Sequence, residues 1–459
     1  MDKDVILLEL RTKLTELALT IEVQAEEIGA LKRENADLRE RLAKYGNPKN
    51  SRNSSIPPSK DENRPRKNQG LRGKTGKRPG GQPGRKGRTL EMTSAPDQII
   101  DLVPQYCNNC GASLADALAS EQGTRQIVDI PPIKALWTQY TAYGKRCGCG
   151  ECTVADFPQG VDAPVSYGGN IEALIGYFHA RQYLPFARMK ETINDVFNIA
   201  ISEGGLHCLL NRFADRATPF YEMIKHRVAN AMVVGTDETG AKVNGDKHWF
   251  WTWQNPQLTY IAHSGTRGRS AIGANFPKGF PNATLVRDGW RAQTATKAKY
   301  HQTCLPHLLR QLNYLNEKYV DNEWSKNFQG LLYDAMDLYN NGKQKSSTAK
   351  IIQRLDRLLG KPPNKGDKEL YTFYKRICRE RQHLFTFLFV ENVPPDNNAS
   401  ERAIRNIKVK QKISGQFKTE KAAQNFAKIR SVIDTTIKNG NNVLEALALI
   451  TKLQPQTTN

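Results

Sequence analysis

Two aspartates stand at the ends of apolar segments, and their positions predict metal-dependent chemistry. Residues 231–236 run into Asp237 and Glu238, and residues 283–287 run into Asp288. If both segments are strands that end at one edge of a sheet, Asp237 and Asp288 meet there, and carboxylate oxygens with room for water and phosphate are typical Mg²⁺ ligands. We therefore expect a magnesium site. Glu238 should face the other side of its strand and have no catalytic role.

A third acid, Glu401, follows two prolines, an aspartate and two asparagines that begin a helix at about residue 398. Basic residues run along one side of this helix and are candidate DNA contacts: Arg402, Arg405 and Lys408. Two interpretations of Glu401 stay open. Beside the basic residues it would hold metal and phosphate together. With Asn398 as N-cap, it would instead be the third helical residue and complete a capping box.

The elements around these acids read as a sheet with helices. Residues 247–253 and 258–263 predict two strands joined at Asn255-Pro256, which with residues 231–238 form a three-stranded meander. A helix at 269–275, a strand at 283–288, a fifth strand at 300–304 and a helix from Pro306 follow. The long interval before Glu401 predicts a helical insertion at 316–385, with amphipathic stretches such as 351–359. His301 and His307 would lie near the site, most simply as structural residues.

The residues that precede the sheet have a helical period. We expect helices at 171–183 and 188–197 and a third that begins after Ser202, its N-cap, with Glu203 in the first turn. The short break before Ser202 is compatible with a helix-turn-helix, whose second helix would enter a major groove. Any three-helix packing unit has the same apolar spacing.

Five of the eight cysteines lie between residues 107 and 152. Two CxxC pairs are typical of a tetrahedral structural zinc site, and our four ligands are Cys107, Cys110, Cys149 and Cys152. Cys147 is spare, or replaces Cys149. Strands are expected at 125–129 and 135–143 in this module. The remaining three are expected to be buried apolar residues: Cys208, Cys304 and Cys378.

A basic segment joins this module to the N-terminal region. Residues 49–88 hold 13 Lys or Arg against Asp61 and Glu62, with many Gly and Pro and almost no apolar residues. Such a segment cannot bury enough surface to fold alone. It is either a solvated spacer or an extended arm that follows a DNA minor groove. The candidate DNA contacts at its end are Arg78, Arg85, Lys86 and Arg88.

The N-terminal residues repeat every seven positions. Apolar residues recur from Leu7 to Leu42 at one heptad position and from Leu10 to Leu38 at another, with Asn35 in the first set. These are the a and d positions of a coiled coil, where a lone Asn at a fixes register. The helix should stop at Gly46-Asn47-Pro48. A single helix packed on a core of its own chain is the alternative, and we favour a homodimer through residues 7–42.

Composition favours a nucleic-acid partner. The formal net charge is +21 and 39% of residues are hydrophobic, which is typical of a folded protein with a polyanionic partner. We find no apolar stretch long enough for a membrane span and no secretory signal pattern at the start. We therefore expect a cytoplasmic protein with reduced thiols and no membrane partner.

Several motifs resemble one family. They are 53–61 (NSSIPPSKD), 78–84 (RPGGQPG), 236–240 (TDETG), Asp288-Gly289, 301–304 (HQTC) with His307, and 396–403 (DNNASERA). In this order, and over nearly the whole chain, they resemble the TnpC-type transposases of insertion-sequence family sixty-six. The resemblance implies a bacterial, nucleoid-associated DDE transposase whose acids are Asp237, Asp288 and Glu401, with Mg²⁺ or Mn²⁺ at the site, a structural Zn²⁺ and accessory proteins from the same element.

The resemblance also implies the fold class, a multidomain α+β protein with a ribonuclease-H-like catalytic core. We expect a coiled-coil helix, a basic linker, a zinc-binding module, a helix-turn-helix-like domain, the first part of the core, a helical insertion, the C-terminal core helices and a last helix with a tail. Their ranges are 1–46, 47–95, 96–160, 161–229, 230–315, 316–385, 386–440 and 441–459. The activity would be cleavage at 3′ ends of the element and strand transfer into target DNA. The alternatives are a non-catalytic DNA-binding regulator and a structure-selective nuclease on the same fold.

Overall fold

The computed structural model describes residues 3–46, 48–50, 53–54, 84, 90–158, 160–342 and 345–452. The chain divides into two compact units. The first comprises Met1–Arg64, Thr138–Asp195 and Ile199–Asn459, and the second comprises Pro65–Trp137 with Val196–Asn198. Most of the basic segment, including Arg78, Arg85, Lys86 and Arg88, lies outside the described residues.

The N-terminal helix, α1, spans Lys3–Gly46. It ends where the glycine and the following proline predicted, because proline cannot continue a helix. The apolar a and d side chains that are described are exposed, from 47% for Leu38 to 69% for Leu42. The described part of the chain therefore leaves most of this apolar stripe uncovered.

The region of the cysteine pairs contains less sheet than expected. Strands β1 (Gly144–Arg146) and β2 (Cys152–Val154) form an antiparallel hairpin. The strands expected at 125–129 and 135–143 are absent: residues 90–143, all of them described, hold one isolated bridge and no strand. Ile127 and Leu136 are more than 90% exposed. The β-prone residues therefore run without the paired neighbour that strand formation requires.

Four helices precede the main sheet: α2 (Gly169–Ala180), α3 (Phe186–Phe197), α4 (Glu203–Arg216) and α5 (Thr218–Ala229). The Ser202 hydroxyl accepts the Gly205 N–H at 3.0 Å, which confirms the predicted N-cap of α4. The first helix stops at Ala180, three residues earlier than expected. The buried Glu172 carboxylate of α2 pairs with Arg212 and Arg216 of α4 at 2.5 and 3.2 Å, which joins these two helices.

A mixed five-stranded sheet forms the centre of the first unit. Its strands are β3 (Val233–Val243), β4 (Asp246–Gln254), β5 (Thr259–Ser264), β6 (Phe280–Arg287) and β7 (Ala298–Thr303), in the order β5-β4-β3-β6-β7. The first three strands form the predicted antiparallel meander. Strands β6 and β7 continue the sheet from β3 in parallel.

One boundary of this sheet was predicted wrongly. Strand β3 does not end at Asp237 and Glu238 but continues to Val243, where Asn244 and Gly245 turn the chain into β4. Both turn residues have positive φ, 50° and 87°. An Asn-Gly pair is the strongest short-range sequence signal for a tight hairpin. Asp237 therefore lies within a strand, with Thr252 of β4 as its partner.

Helices connect and cover the sheet. Helix α6 (Arg269–Asn275) lies between β5 and β6, and the short α7 (Arg291–Thr294) lies between β6 and β7. The helix expected from Pro306 is α8 (Leu305–Lys318). The insertion predicted at 316–385 is helical, with α9 (Glu323–Asn340), α10 (Lys345–Leu359) and α11 (Lys368–Glu380), and is followed by the short α12 (Thr386–Phe389). It has its own apolar core, in which Trp324 and Phe328 stack with ring centroids 5.3 Å apart and Phe373 packs against both.

Three C-terminal helices complete the unit: α13 (Asn398–Ser414), α14 (Glu420–Lys438) and α15 (Val443–Lys452). Arg430 of α14 is buried, and its guanidinium donates to the Ala180 carbonyl at 2.9 Å, the Tyr183 hydroxyl at 3.0 Å and the Asp434 carboxylate at 2.5 Å. These bonds fix the end of α2 against the helices that cover the sheet. No described helix is both long and apolar enough to cross a bilayer.

Candidate active site at the parallel strand ends

Asp237 lies within β3, and Asp288 directly follows the neighbouring parallel strand β6 at the same level. The register pairs Gly235 of β3 with Val286 of β6. Asp237 and Asp288 each follow their member of this pair by two residues. Because side chains repeat every two residues along a strand, both carboxylates project from the same face of the sheet.

The charges of the acids act on one another. Burial raises the pKa of Asp237 well above its usual value, and the negative charges of Asp288, Glu238 and Glu401 raise it further. A hydrogen bond from the Glu238 N–H, at 2.9 Å, acts in the opposite direction. Among the described side chains, none makes an ion pair with Asp237 or Asp288. The site therefore concentrates negative charge that a cation would neutralise.

A buried polar network fixes the start of α13 against β3. The Asn397 amide donates to the Thr236 carbonyl at 2.7 Å, and the Ser400 hydroxyl donates to Asn397 Oδ1 at 2.6 Å. The Gln254 amide of β4 donates to the Ser400 hydroxyl at 3.1 Å. Gly235 permits this approach, because a Cβ there would lie 2.6 Å from the Ser400 hydroxyl oxygen. The network places the first turn of α13, with Glu401, beside the strand that carries Asp237.

The capping-box interpretation of Glu401 is wrong. The N-cap is Asn397, one residue earlier than expected, so Glu401 is the fourth helical residue, and its side chain does not reach back to the cap. Its carboxylate instead lies 3.5 Å from Arg310, 3.7 Å from Arg405 and 3.8 Å from His307 Nε2. Glu401 thus occupies a cationic environment.

Cys304, His307 and Glu401 are the one group of three or more potential metal ligands that converges within 4.8 Å among the described residues. Cys304 is fully buried, and its sulfur lies 3.2 Å from His307 Nδ1 and accepts the Asn397 N–H at 3.3 Å. Burial raises the pKa of the Cys304 thiol to about 12. Burial and the Arg310 charge lower the pKa of His307. Both side chains are therefore neutral at pH 7, and they link the start of α8 to the start of α13.

A pocket of about 210 Å³ opens beside Asp288. Its walls come from the residues after β5 and β6, from the end of β7 and from helices α8 and α11. Two arginines line it: Arg267, from the loop after β5, and Arg376, of α11, which donates to the Gln311 amide oxygen at 2.6 Å. An acid with cationic side chains around it suits a phosphodiester and its counterion.

Arg287, one residue before Asp288, is held in place by three groups. Its guanidinium donates to His301 Nδ1 at 3.0 Å, to Glu380 Oε2 at 2.8 Å and to the Asp288 carbonyl at 3.1 Å. The Thr303 hydroxyl also donates to Glu380, at 3.0 Å. Burial and the Arg287 charge lower the pKa of His301 to about 4, so His301 is a neutral structural partner. These bonds position the backbone that carries Asp288.

Glu238 was expected to have no part in the chemistry. Its side chain is 1% exposed, and both carboxylate oxygens are engaged: Oε1 by Arg267 at 2.8–2.9 Å and Oε2 by the Gln293 amide at 2.5 Å. Neither partner could be inferred from local spacing, because both follow Glu238 by more than 25 residues.

Residues 164–425 match the model of the transposase IS66 family, over more than half of the chain. The chain belongs to the IS66 family of transposases. The IS66 match contains Asp237, Asp288 and Glu401 and the sheet and helices that carry them. Residues 4–91 match a second model, described as a family of unknown function (DUF6444). No curated protein matches the sequence.

The cysteine pairs precede the IS66 match. The backbone N–H groups of Cys110 and Asn109, together with the Cys110 side chain, lower the pKa of the Cys107 thiol. The Cys149 N–H and side chain do the same for Cys147, so the cysteine we considered spare contacts Cys149. Cys152 begins β2.

The prediction that the three remaining cysteines are buried was wrong for two of them. Cys304 is buried, but Cys208 and Cys378 are exposed. Each exposed cysteine lies on a helix, α4 or α11, beside residues that are buried. The apolar residues that surround each of these cysteines in the sequence therefore lie on the opposite face of its helix.

The basic residues of α13 within the IS66 match have different surroundings. Arg402 and Arg405 are exposed. The Lys408 ammonium donates to the Gly240 carbonyl of β3, so part of its charge is used within the protein. All three side chains are exposed, and the Arg405 guanidinium also lies 3.7 Å from the Glu401 carboxylate.

Proposed function

We propose that this transposase cleaves DNA at the 3′ ends of its element and joins them to target DNA, with Asp237, Asp288 and Glu401 as its metal-binding acids. The observation that carries the proposal is the electrostatic coupling of the three: two aspartates at one level of neighbouring strands, and a glutamate whose charge also raises the pKa of Asp237. Side chains that repel one another in a buried place are stable there when a cation is shared between them.

The donor set fits a hard divalent cation such as Mg²⁺ or Mn²⁺. Three carboxylates offer only oxygen ligands, and the adjoining pocket leaves room for water and phosphate. When bound, such ions polarise the phosphate and lower the pKa of an attacking water or hydroxyl. Asp237 and Asp288 would hold them from the sheet and Glu401 from α13, while Arg310 and Arg405 limit the movement of the Glu401 carboxylate.

The proposed reaction is a pair of in-line displacements. In the first, a water oxygen bonds to phosphorus, the bond from phosphorus to the 3′ oxygen breaks, and that oxygen leaves as a 3′-hydroxyl. In the second, this hydroxyl bonds to a target phosphorus, loses its proton and displaces a target 3′ oxygen. The chain's residues hold both reacting oxygens in line.

The proposed architecture follows from the same family. We take the sheet with α6–α8, α13 and α14 as the ribonuclease-H-like core, since its central strand and the next one carry the two aspartates. The dimer would form through α1, which its exposed apolar stripe supports. The zinc site would use Cys107, Cys110, Cys149 and Cys152. Cys147 is the alternative ligand to Cys149.

DNA contacts are proposed for the basic segment, through Arg78, Arg85, Lys86 and Arg88, and for Arg402, Arg405 and Lys408 of α13. The helix-turn-helix proposal rests on α3 and α4. The charges of α4 are largely paired within the protein, Arg212 and Arg216 with Glu172 and Asp215 with Lys421. Accessory proteins of the same element remain part of the proposal, as does a nucleoid-associated bacterial location.

The test is an end-cleavage assay. Purified protein is mixed with labelled element-end DNA, a target plasmid and Mg²⁺ or Mn²⁺. New 3′ ends and joined products are expected from the wild type, none from Asp237→Ala, and wild-type amounts from Asp246→Ala, an exposed acid of β4. A shift in mobility without new ends would favour the regulator, and cleavage of branched DNA without joining would favour the nuclease.

A further inference from the structure

Arg267 is held more rigidly than a surface arginine usually is. Its guanidinium makes a two-nitrogen contact with Glu238 Oε1, at 2.9 Å from Nε and 2.8 Å from Nη2. The same group lies 3.7 Å from the ring centroid of Trp290 and 4.9 Å from that of Trp249. Cation–π stacking and a buried carboxylate together fix the plane of the guanidinium.

The anchor of this arginine is itself fixed. Glu238 Oε2 accepts the amide of Gln293, which is fully buried in α7. The Trp290 backbone N–H donates to Asp288 Oδ1 at 3.0 Å, and its indole N–H donates to the Arg267 carbonyl at 3.3 Å. Asp288 and Arg267 are therefore connected through one tryptophan.

The guanidinium lines the pocket beside Asp288, and its side chain is 38% exposed although its anchor is 1% exposed. We infer that Arg267 binds a DNA phosphate next to the one that reacts, and that Glu238 is a positioning residue that aims it. The planar fork of arginine suits two phosphate oxygens. This inference rests on the proposed function, because it names a contact of the same site with its DNA.

A role for Glu238 as a fourth metal ligand fits the geometry less well. Both of its oxygens already accept hydrogen bonds, one from a cation. An ion would have to displace Arg267 or Gln293 to reach them. Asp237 and Asp288 make no such ion pairs among the described side chains, so they are the acids left for metal.

The test measures two quantities, the affinity for a fluorescent duplex of the element end with its flanking DNA over a range of salt concentrations, and the rate at which new 3′ ends form. The variants are Arg267→Ala, Arg267→Lys, Glu238→Gln and the double variant Glu238→Gln/Arg267→Ala. The matched control is Arg269→Ala, an exposed arginine two residues away on α6. Thermal unfolding checks that each variant is folded.

For Arg267→Ala we expect roughly tenfold weaker DNA binding than for Arg269→Ala. The slope of log affinity against log salt concentration should also be smaller in magnitude by about one, because one phosphate contact is lost. Arg267→Lys should restore the slope but not the rate, since the charge returns without the fork. Glu238→Gln should slow cleavage without weakening binding. The double variant should be no slower than Arg267→Ala, because Glu238 acts only through Arg267.

The inference would be overturned if Arg267→Ala and Arg269→Ala had the same salt dependence of DNA affinity and the same rate of 3′-end formation. The positioning role would be overturned if the losses in cleavage rate of the two single variants added up in the double variant and high Mn²⁺ restored cleavage by Glu238→Gln. Glu238 would then be a metal ligand. These results differ from failure of the proposed function, in which the wild type itself forms no new 3′ ends while the binding comparison can still be made.

Discussion

The Asn397 side chain donates a hydrogen bond of 2.7 Å to the carbonyl of Thr236, a residue 161 positions earlier in the chain. Thr236 directly precedes Asp237, and Asn397 is the N-cap of the helix that carries Glu401. The bond therefore joins, through backbone and cap, the two parts of the chain whose acids we propose to act together. Both residues are buried, so water does not replace the bond.

Asn397→Ala should uncouple these two parts. The substitution removes the amide that donates to the buried Thr236 carbonyl and the oxygen that accepts the Ser400 hydroxyl proton, and we expect it to lower the free energy of unfolding by about 1–3 kcal/mol. End cleavage should fall further than stability alone explains, because Glu401 loses its fixed position. Denaturant unfolding and the end-cleavage assay measure the two effects. Asn398→Ala, at an exposed position in the same turn, is the control; equal losses in both variants would contradict this explanation.

Gly235→Ala tests the close approach of β3 and α13. The added methyl group would lie 2.6 Å from Gln254 Nε2 and from the Ser400 hydroxyl oxygen, and 2.8 Å from Asn397 Oδ1. We expect a loss of about 1–3 kcal/mol in unfolding free energy from the forced displacement of these packed groups. Gly273→Ala is the matched control, because a Cβ there meets nothing within 4 Å and alanine favours the helix. A wild-type melting temperature for Gly235→Ala would show that α13 is free to shift.

Whether the sequence predicted a structural feature depended on how far apart in the chain the interacting residues lie. Local patterns predicted the meander, its turn at Asn255-Pro256 and the N-cap at Ser202, since each depends on a few consecutive residues. The strand at 135–143 failed, because β-propensity shows only that a segment suits a sheet and not that a partner is present. The Asn244-Gly245 pair is a hairpin signal in the sequence, and it would have predicted the observed end of β3.

The same dependence on distance along the chain holds for the candidate site. Spacing and family motifs led to the prediction of the three acids, but the contacts that support the residues around them come from far away in the sequence: Glu380 for Arg287, Asn397 for the strand of Asp237, and Arg267 for Glu238. The capping-box alternative for Glu401 was plausible locally. It failed because the helix begins one residue earlier and the backbone N–H of its N-cap, Asn397, donates to the Cys304 sulfur and not to Glu401.

The buried Lys410 of α13 should make the free energy of unfolding depend on pH. It is 5% exposed, and burial lowers its pKa to about 8. The folded state therefore binds fewer protons than the unfolded state between pH 8 and the ordinary lysine value of 10.5, and stability rises with pH in that window. Below pH 8 the full cost of the buried charge remains. We expect Lys410→Met to raise the unfolding free energy at pH 7 by up to about 3 kcal/mol.

The gain from Lys410→Met should shrink as pH increases from 8 to 10.5, because the folded-state lysine is neutral in this window and the cost of removing its proton falls until the unfolded state is neutral too. The Lys410 charge acts on His179: burial lowers the pKa of His179 well below its usual value, and the charges of Lys410 and His207 lower it further. Denaturant unfolding at several pH values is the measurement. The control is Lys412→Met, exposed on the same helix, which should change stability little at any pH. A gain that does not depend on pH would mean that packing, and not charge, is responsible.

Zinc content tests the cysteine module. Protein purified without chelators should contain one zinc ion per chain, and Cys110→Ser should lose it, because a structural site needs all four ligands. Cys208→Ser, at an exposed cysteine of α4, should keep it. Elemental analysis gives the stoichiometry. Retention of zinc by Cys110→Ser would remove the first pair from the site.

The last prediction concerns α1. Ile21 occupies an a position and is 63% exposed in the single chain, whereas Val23, two residues later and 58% exposed, lies outside the a and d positions. If α1 forms a parallel coiled coil, Ile21→Asp places two charges face to face in its seam and should dissociate the dimer, while Val23→Asp should not. Light scattering on the full chain measures the mass. Since both variants make the same chemical change at similar exposure, equal masses would indicate that the apolar stripe of α1 does not hold two chains together.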